Sequence, residues 1–346
     1  MKVKQLLLTF DYELFLGKNS GSVFQCMLEP TEKIIPILKK HGLKAVFFID
    51  TTYLMQLEKQ ALSHSLAKND LNQIKKQLNN LIEDGHHLFH HLHPHWLDAI
   101  YNPASNTWDC SNHTHFALSN LTDEQVASLF TYSDDFIRGL YPEKNKPAFL
   151  GFRAGGLYSQ PFERRSQYFK AFDIRYDFSV LKGASSKGLN YSFDYRSTAT
   201  IIPLIYNFNT NNKIADSTGV FTEIALENFS MTLCERLLNS IYYRLNSKKN
   251  TWQRLGDGIS SGNRIQSQSK TSGNSETYSI ELLNRVKSFF YASRYKKTDI
   301  LHIISHPKLL STQSIRSFEL FLNLIHEKYT VISDFNTIIS DNPSHT

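Results

Sequence analysis

Residues 3–17 read VKQLLLTFDYELFLG, and this stretch near the N-terminus decides how the rest of the chain is interpreted. Its apolar run, VKQLLLTF, is typical of a strand that is buried in a sheet. The strand ends on two carboxylates, Asp11 and Glu13, although a turn needs only one polar residue. Two acids separated by one aromatic residue therefore indicate either a functional site or a solvated surface turn.

Strand-like and helix-like segments alternate along the remainder of the 346 residues. Further strands are predicted at 44–50, 88–92, 148–154, 172–180, 198–205, 219–226 and 299–305. Helices are predicted at 31–42, 70–85, 126–140, 233–245, 279–292 and 317–329, with a capping box at Thr122–Gln125. This order predicts an α/β fold with a mostly parallel sheet, either open or closed into a barrel.

A polar stretch interrupts this alternation once. Residues 246–277 are rich in Ser, Gly, Asn and Gln and almost free of aliphatic residues, which predicts a long flexible surface loop. Strand and helix signals continue on both sides of it, so we expect one domain over residues 1–346 rather than two domains joined by a linker.

The composition narrows the class of protein. The net charge is +6, with 41% hydrophobic and 20% charged residues, and no basic stripe with interleaved aromatics is present, which disfavours nucleic-acid binding. No window approaches the ~18 consecutive apolar residues of a membrane span. The chain has only three cysteines, Cys26, Cys110 and Cys234, and they fit no metal-binding spacing. We therefore expect a soluble, cytoplasmic protein whose oligomeric state the sequence does not indicate.

Histidines are concentrated in one segment. Six of the fourteen histidines lie in residues 86–95, HHLFHHLHPH, at the end of a predicted strand. Neutral imidazoles together with a carboxylate form open catalytic sites for Zn²⁺ and similar ions. His91 and His95 are four residues apart, and Pro94 makes a continuous helix across them unfavourable. A polar or pH-sensitive surface loop is the alternative interpretation. His86, His87 and His90 are expected to be structural.

Other polar residues also follow predicted strands. Arg153 lies in GFRAGG, Asp177 in YDFSV and His306 in HIISHP. In α/β barrels the carboxyl ends of the strands meet at one face, where active sites are built. Residues two apart on an extended chain point the same way, so Asp11 and Glu13 are expected to share this site. One of them would bind a metal and the other would act as a base.

Four of these segments together carry a resemblance to a known family. TFDYE, HLHPH, FRAGG and ISHP, in that order, resemble the motifs of the polysaccharide deacetylase family, which is the NodB-homology domain of carbohydrate esterase family 4. The chain is most similar to the branch found in polysaccharide biosynthesis, and the similarity runs from residue 3 to about residue 335. The resemblance implies a distorted (β/α) barrel, in agreement with the alternation of strands and helices.

The resemblance also implies roles for individual residues. Asp11 corresponds to the general base, and Glu13 to the metal-binding acid, although Tyr12 occupies the adjacent position that this acid usually takes. The family's pair of histidine ligands falls on His91 and His95. Its arginine, which orients the base, falls on Arg153, and its general acid falls on His306.

Further residues are expected near the substrate. Asp177 has no secure counterpart in the family and is expected to hold His306 or to bind substrate. His93, Trp96 and Tyr158 are candidates for contact with the saccharide.

The implied activity is hydrolysis of an N-acetyl group on a sugar or a polysaccharide precursor. A divalent cation, Zn²⁺ first and Co²⁺ or Ni²⁺ as alternatives, would polarise the acetyl carbonyl and activate water. Two other functions stay open. One is a metal-dependent hydrolase of a non-sugar amide or a phosphoester, and the other is a catalytically silent barrel that binds a glycan or a protein partner.

Overall fold

The computed structural model describes residues 1–188, 190–198, 203–246, 250–259 and 275–341. The strands in these ranges are β1 (Lys2–Tyr12), β2 (Val46–Asp50), β3 (His87–Leu92), β4 (Ile100–Asn102), β5 (Thr107–Asp109), β6 (Leu150–Ala154), β7 (Ile174–Asp177), β8 (Ser185–Lys187), β9 (Ser192–Asp194), β10 (Ile205–Phe208), β11 (Phe221–Ile224), β12 (Asn228–Ser230), β13 (Ser275–Thr277), β14 (Ile300–Ser305) and β15 (Tyr329–Ile332). The helices are α1 (Glu29–Lys40), α2 (Thr51–Ala61), α3 (Ser65–Glu83), α4 (Asp123–Leu140), α5 (Glu163–Ala171), α6 (Leu233–Asn246), α7 (Arg285–Tyr295), α8 (Thr312–His326) and α9 (Phe335–Ser340).

One nine-stranded sheet organises the molecule. Its order is β10-β11-β7-β6-β3-β2-β1-β14, and β15 pairs with the first residues of β1. All of these pairings are parallel except that between β10 and β11. Among the described residues, three two-stranded antiparallel sheets, β4–β5, β8–β9 and β12–β13, lie outside this sheet.

Strand β1 is the centre of one half of the sheet. It pairs with β14 along one edge, and along the other edge it pairs first with β15 and then with β2. The residues from Leu6 to Tyr12 are all buried. The apolar run of β1 therefore forms the fully buried strand that its sequence predicts.

The sheet curls toward closure. Strand β14 stands at one end of the strand order, yet the Nδ1–H of His302 on β14 donates to the carbonyl of Ala225, directly after β11, over 3.0 Å. Two strands from opposite ends of a flat sheet could not make this contact. The fold is therefore α/β, a distorted (β/α) barrel, as predicted.

Side chains from neighbouring strands and helices form the core. Phe10 on β1 stacks on Phe47 of β2 with ring centroids 5.0 Å apart, and Phe48 of β2 packs against Phe178 after β7 at 5.0 Å. Helix α4 begins with the predicted capping box, in which Thr122 and Gln125 bond reciprocally. Burial of this continuous apolar surface is what stabilises the curled sheet.

Several predicted elements differ in their bounds; the helix predicted at 317–329, for example, is α8 at Thr312–His326. The segment predicted as a strand at 198–205 includes residues 199–202, which lie outside the described ranges, and the observed strand β10 begins at its last residue, Ile205, and runs antiparallel to β11. The helix predicted from residue 279 begins only at Arg285, because Asn284 caps it by accepting from the backbone N–H groups of Val286 and Lys287. Residues 279–284 are therefore free to enter the active-site region.

Most of the predicted loop at 246–277 lies outside the described residues, and the single-domain assignment stays a prediction. Within the described ranges, none of the helices combines the length and apolar character that crossing a membrane requires.

Candidate active site

The candidate site is a cleft of ≈ 490 Å³ at the carboxyl ends of β1, β3, β6 and β14. Because these strands are parallel, the polar residues that end them meet at the same face of the sheet. The titratable side chains that line the cleft are Asp11, Glu13, His91, His93, Glu281 and His306.

Glu13, His91 and His93 form a compact group, which we call the ligand triad. The Oε2 of Glu13 lies 2.6 Å from the Nε2 of His93 and 3.3 Å from the Nε2 of His91. The two imidazole Nε2 atoms are 3.0 Å apart. All three side chains are buried. One oxygen and two nitrogens therefore converge on a single point.

The backbone explains why His93, and not His95, completes the triad. His93 follows β3 in extended conformation, with φ −112° and ψ 96°, so its side chain points the same way as that of His91. Pro94 then begins a 3-10 turn, Pro94–Leu97, which turns His95 away. The ring of His95 packs against Phe116 at 4.4 Å. The structure thus departs from the predicted His91–His95 pair and moves His93 from substrate contact to the ligand position.

The chemistry of the triad fits a divalent cation. The Nδ1–H of His91 donates to the carbonyl of Arg153 over 2.8 Å, so Nε2 is the ring nitrogen that faces Glu13 and that would exchange its proton for a cation. Zn²⁺ takes such nitrogen and oxygen ligands at about 2.0–2.1 Å in tetrahedral geometry, which separates neighbouring ligand atoms by roughly 3.3 Å. Two of the separations in the triad, 3.3 and 3.0 Å, lie near this value, whereas the 2.6 Å between Glu13 and His93 is a hydrogen-bond distance that a cation would widen. Three protein ligands would leave a fourth position open.

The electrostatic field of the site favours positive charge. Burial lowers the pKa of His91, but the nearby Asp11 and Glu13 carboxylates outweigh it and raise this pKa to about 9. Burial likewise opposes ionisation of Glu13, yet Lys308 and His93 hold its pKa well below the usual range. The triad therefore presents an ionised carboxylate to whatever cation occupies it.

Lys308 is a buried lysine that holds the second oxygen of Glu13. Its Nζ donates to the Oε1 of Glu13 over 2.9 Å and to the carbonyl of Leu14 over 2.7 Å. The Oε2 of Glu13 is thereby left for the two histidines. Lys308 was not predicted from the sequence, where its one local signal is its place two residues after His306.

Asp11 is positioned by a buried arginine. The Nη1 of Arg153 donates to the Oδ1 of Asp11, and the guanidinium carbon lies 4.1 Å from the centre of the Phe48 ring. Burial raises the pKa of Asp11, but the charges of Arg153, His91 and His306 overcome this and lower it. Asp11 is therefore an ionised carboxylate beside the triad, as its proposed role as a base requires.

A directed chain of hydrogen bonds holds Arg153 from behind. The Nη2 of Arg153 donates to the Oγ1 of Thr9 over 2.9 Å, and Thr9 lies 3.0 Å from the Nε2 of His302. Because the Nδ1–H of His302 donates to Ala225, its Nε2 must accept the hydroxyl proton of Thr9. Burial and the charge of Arg153 lower the pKa of His302 to about 3, so it is neutral. Neither Thr9 nor His302 was recognised from the sequence.

His306 lies on the side of Asp11 opposite to Arg153. It is held by Glu281, an acid that the sequence did not indicate. Its Nε2 is 3.4 Å from the Oδ2 of Asp11, and its Nδ1 is 2.8 Å from the Oε1 of Glu281. The other oxygen of Glu281 accepts from the hydroxyl of Ser305 over 2.8 Å. Burial lowers the pKa of His306, but Glu281 and Asp11 more than offset it, so the net shift is upward.

The two glycines of FRAGG serve the protein rather than a ligand. A Cβ on Gly155 would lie 2.6 Å from the Nδ1 of His93 and 2.6 Å from the carbonyl oxygen of Leu92. Gly155 therefore makes room for the imidazole of the triad. Gly156 adopts φ +59°, a conformation that other residues rarely take.

Three other predicted residues lie outside the reacting groups. Asp177 is fully buried and accepts from the hydroxyl of Ser179 over 2.5 Å and from the amide of Asn212 over 3.0 Å, so its partners are not His306. Trp96 is 0% exposed, and its indole N–H donates to the Oδ2 of Asp50 over 2.5 Å.

Tyr158, the third, is buried between Phe116 and Tyr191, with ring centroids 5.3 and 4.6 Å away. Packing within the protein explains the positions of Trp96 and Tyr158 better than contact with a sugar ring.

His86 and His90 also have structural partners, as expected. The Nδ1 of His86 accepts from the backbone N–H of Ala45 over 3.1 Å. The Nδ1 of His90 lies 2.7 Å from the hydroxyl of Ser133, and burial lowers the pKa of His90 to about 3.

Comparison with known proteins agrees with this picture. Residues 1–165 match the family model described as polysaccharide deacetylase. This region contains Asp11, the ligand triad and Arg153, whereas Glu281, His306 and Lys308 lie beyond it. No curated protein matches the chain in sequence.

Two solved structures share the fold. One is a Mycobacterium smegmatis protein classed as a polysaccharide deacetylase, with a TM-score of 0.50 and 10% identity over 98% of this chain and 90% of that chain. The other is 4-alpha-glucanotransferase from Thermococcus litoralis, with a TM-score of 0.52 and 11% identity over 99% of this chain and 41% of that chain. At this level of identity the similarity establishes the barrel and not the reaction.

Proposed function

We propose that this chain, which carries a polysaccharide deacetylase domain in residues 1–165, is a metal-dependent hydrolase that removes an N-acetyl group from a saccharide. The observation that supports this most is the meeting of three functional groups in one cleft. They are the ligand triad, the Asp11–Arg153 pair and the His306–Glu281 pair. A Lewis acid, a base and an acid around one point are what amide hydrolysis requires.

Glu13, His91 and His93 would hold the cation. A divalent cation, most simply Zn²⁺ with Co²⁺ or Ni²⁺ as alternatives, would supply polarisation of the acetyl carbonyl and a more acidic water. The field of Asp11 and Glu13, which raises the pKa of His91, is the field that would attract this charge.

Asp11 would act as the general base. Arg153 occupies its Oδ1, so its Oδ2 faces the cleft and accepts the proton of the attacking water. The guanidinium keeps Asp11 ionised and fixed in orientation. The Thr9–His302 chain behind Arg153 restrains that arginine in turn.

His306 would act as the general acid. Its Nδ1–H donates to Glu281, so its Nε2 is the atom that carries the transferable proton into the cleft. Glu281 stabilises the imidazolium form, which keeps His306 protonated until the amide nitrogen leaves. Protonation of this nitrogen is necessary because an amide anion is a very poor leaving group.

The experiment is acetate release from N-acetylated saccharides in the presence of Zn²⁺ or Co²⁺. Asp11→Asn should lower the rate by about 10²–10⁴-fold, the usual contribution of a positioned base. Asp135→Asn, which changes an exposed acid of α4, is the matched control and should retain activity. Equal rates for the native protein and Asp11→Asn would remove Asp11 from this role.

The location in the cell is also part of the proposal. All three cysteines are free, and two of them are buried, which is consistent with a reducing compartment such as the cytoplasm.

A further inference from the structure

Helix α6 packs on the protein with its apolar side facing outward. Leucine and isoleucine side chains that are 47% to 76% exposed recur along it, namely Leu233, Leu237, Leu238, Ile241 and Leu245. Four of them are spaced by four residues and therefore form one continuous stripe. None of the residues of α6 is buried. A helix of a globular protein normally turns such a stripe toward the core.

The opposite side of α6 is polar and is the side that contacts the protein. Asn239 accepts a hydrogen bond from the side-chain amide of Asn284 over 2.7 Å. Glu235 forms an ion pair with Arg294 at 2.6 Å. These contacts fix the rotation of the helix, so its exposed stripe is not a consequence of loose attachment.

The charges on α6 are distributed unequally between its two sides. Its one acidic residue, Glu235, is turned inward and neutralised by Arg294, whereas Arg244 is exposed on the same side as the apolar stripe. Lys248 and Lys249 follow the helix in the sequence. In the described residues the exposed side of α6 is therefore apolar and carries the positive charge of Arg244. An apolar face bordered by basic residues is typical of helices that lie in the interface of an anionic membrane.

Aromatic side chains mark the C-terminal end of α6. Tyr243 is exposed, and its ring lies 5.5 Å from that of Trp252. Tyrosine and tryptophan favour the boundary between lipid and water, because each has an apolar ring and a polar tip.

Exposed apolar side chains also lie on the segment that contacts the inward side of α6. Asn284, the partner of Asn239, caps α7, and Leu282 lies two residues before it. Leu282 is exposed and lines the cleft, and Phe289 on α7 is also exposed.

We propose that the exposed side of α6 docks on the surface of an anionic lipid bilayer without crossing it. In a symmetric pair of α6 helices the inward Glu235, the one acid of α6, could not meet Arg244, so the partner helix would offer this arginine no counter-charge. Lipid phosphates would accept Arg244 while its aliphatic part lies along the acyl chains. This docking does not depend on the reaction in the cleft, so its failure would leave the proposed function intact.

The experiment uses the full chain and measures co-sedimentation with vesicles. We expect the native protein to bind vesicles of equimolar phosphatidylcholine and phosphatidylglycerol more tightly than vesicles of phosphatidylcholine alone. The double variant Leu237→Gln/Ile241→Gln should lower binding at least tenfold. The matched control, Leu62→Gln/Ile214→Gln, replaces two exposed apolar residues elsewhere and should bind normally. Arg244→Glu should remove the preference for anionic vesicles.

Sedimentation velocity tests whether a second copy of the chain, instead of a lipid bilayer, covers this surface. A native protein that is dimeric without lipid, together with a Leu237→Gln/Ile241→Gln variant that is monomeric, would assign α6 to a second copy of the chain and overturn the proposal. Absence of binding to both kinds of vesicle, or equal losses in the double variant and its control, would overturn it as well.

Discussion

Lys308 and Glu13 form a buried ion pair whose importance should depend on the bound cation. Removing one partner of a buried pair costs about 3–5 kcal/mol, because the other charge is left uncompensated. Lys308→Met should therefore lower the melting temperature. Zn²⁺ should raise the melting temperature of this variant by more than it raises that of the native protein, since the cation then supplies the missing positive charge. The measurement is the melting temperature with and without Zn²⁺.

Lys287→Met is the matched control, because Lys287 is also buried and pairs with an acid, Glu276, outside the triad. This variant should lose stability without changing the shift that Zn²⁺ produces. An identical Zn²⁺ shift in both variants would argue against a role of Lys308 at Glu13.

Glu281 should control the alkaline limit of activity through His306. The folded protein raises the pKa of His306, so this general acid stays protonated to a higher pH than a free histidine. Glu281→Gln removes the carboxylate that contributes most to the increase, and the alkaline limb of the profile of kcat against pH should move to lower pH. His306→Gln should abolish that limb and lower kcat by about 10²–10⁴-fold. An alkaline limb at the native pH in Glu281→Gln would show that Glu281 does not control the titration of His306.

At the scale of elements, the junction after β6 determines the position of His93, which follows β3. Gly155→Ala places a methyl group in contact with the Nδ1 of His93 and the carbonyl of Leu92, and both must shift. Displacement of a metal ligand by its supporting structure typically costs 10–100-fold in affinity, and we expect a loss of this order for Zn²⁺. Calorimetric titration is the measurement.

The control for this substitution is Gly139→Ala, because a Cβ at Gly139 in α4 meets nothing within 4 Å. In a helix this change is expected to stabilise the protein by about 0.4–1 kcal/mol and to leave Zn²⁺ affinity unchanged. Normal affinity in Gly155→Ala would show that the triad tolerates the contact.

The pairing of β7 with β11 brings two buried acids together. Asp177 and Glu223 are register partners, and burial together with the charge of Asp177 raises the pKa of Glu223 well above its usual value. A group whose pKa is raised by folding adds its full stability below its unfolded pKa, and this stability is lost as the pH rises toward the folded pKa.

The melting temperature of the native protein should therefore fall as the pH rises above the usual pKa of a glutamate, by an amount that Glu223→Gln reduces, since the amide mimics the protonated acid. Glu163→Gln, at an exposed site, should show the native pH dependence. A native-like fall in Glu223→Gln would mean that another group is responsible.

At the scale of the whole molecule, cation binding should stabilise the fold. A ligand at a hundred times its Kd adds about 2.7 kcal/mol. Zn²⁺ should thus raise the melting temperature, and His93→Ala should abolish the rise. His95→Ala should destabilise the protein by removing the contact with Phe116 but should retain the Zn²⁺ shift. The opposite result would restore the pair His91–His95 that the sequence spacing suggested.

How far the sequence could predict the site depended on the range of the interaction. The sequence predicted that Asp11, Arg153 and His306 lie close together because each lies at the carboxyl end of an apolar strand, and parallel strands bring such positions to one face. Glu281 was missed because the apolar spacing of residues 279–292 placed it inside a predicted helix. The observed helix α7 begins only at Arg285, where Asn284 caps it. His93 was not predicted beside Glu13. The rule that residues two apart on an extended chain point the same way was used for Asp11 and Glu13 but not for His91 and His93.

The amino-acid sequence by itself determined the alternation of strands and helices, the barrel class and the face on which the polar residues meet, because these follow from local apolar patterns and parallel strand order. Only the tertiary structure decided which imidazole completes the triad, which acid holds His306, and which side of α6 faces outward. The physical reason is that each of these depends on one or two torsion angles, caps or contacts between residues distant in the chain, and hydrophobic periodicity carries no information about them.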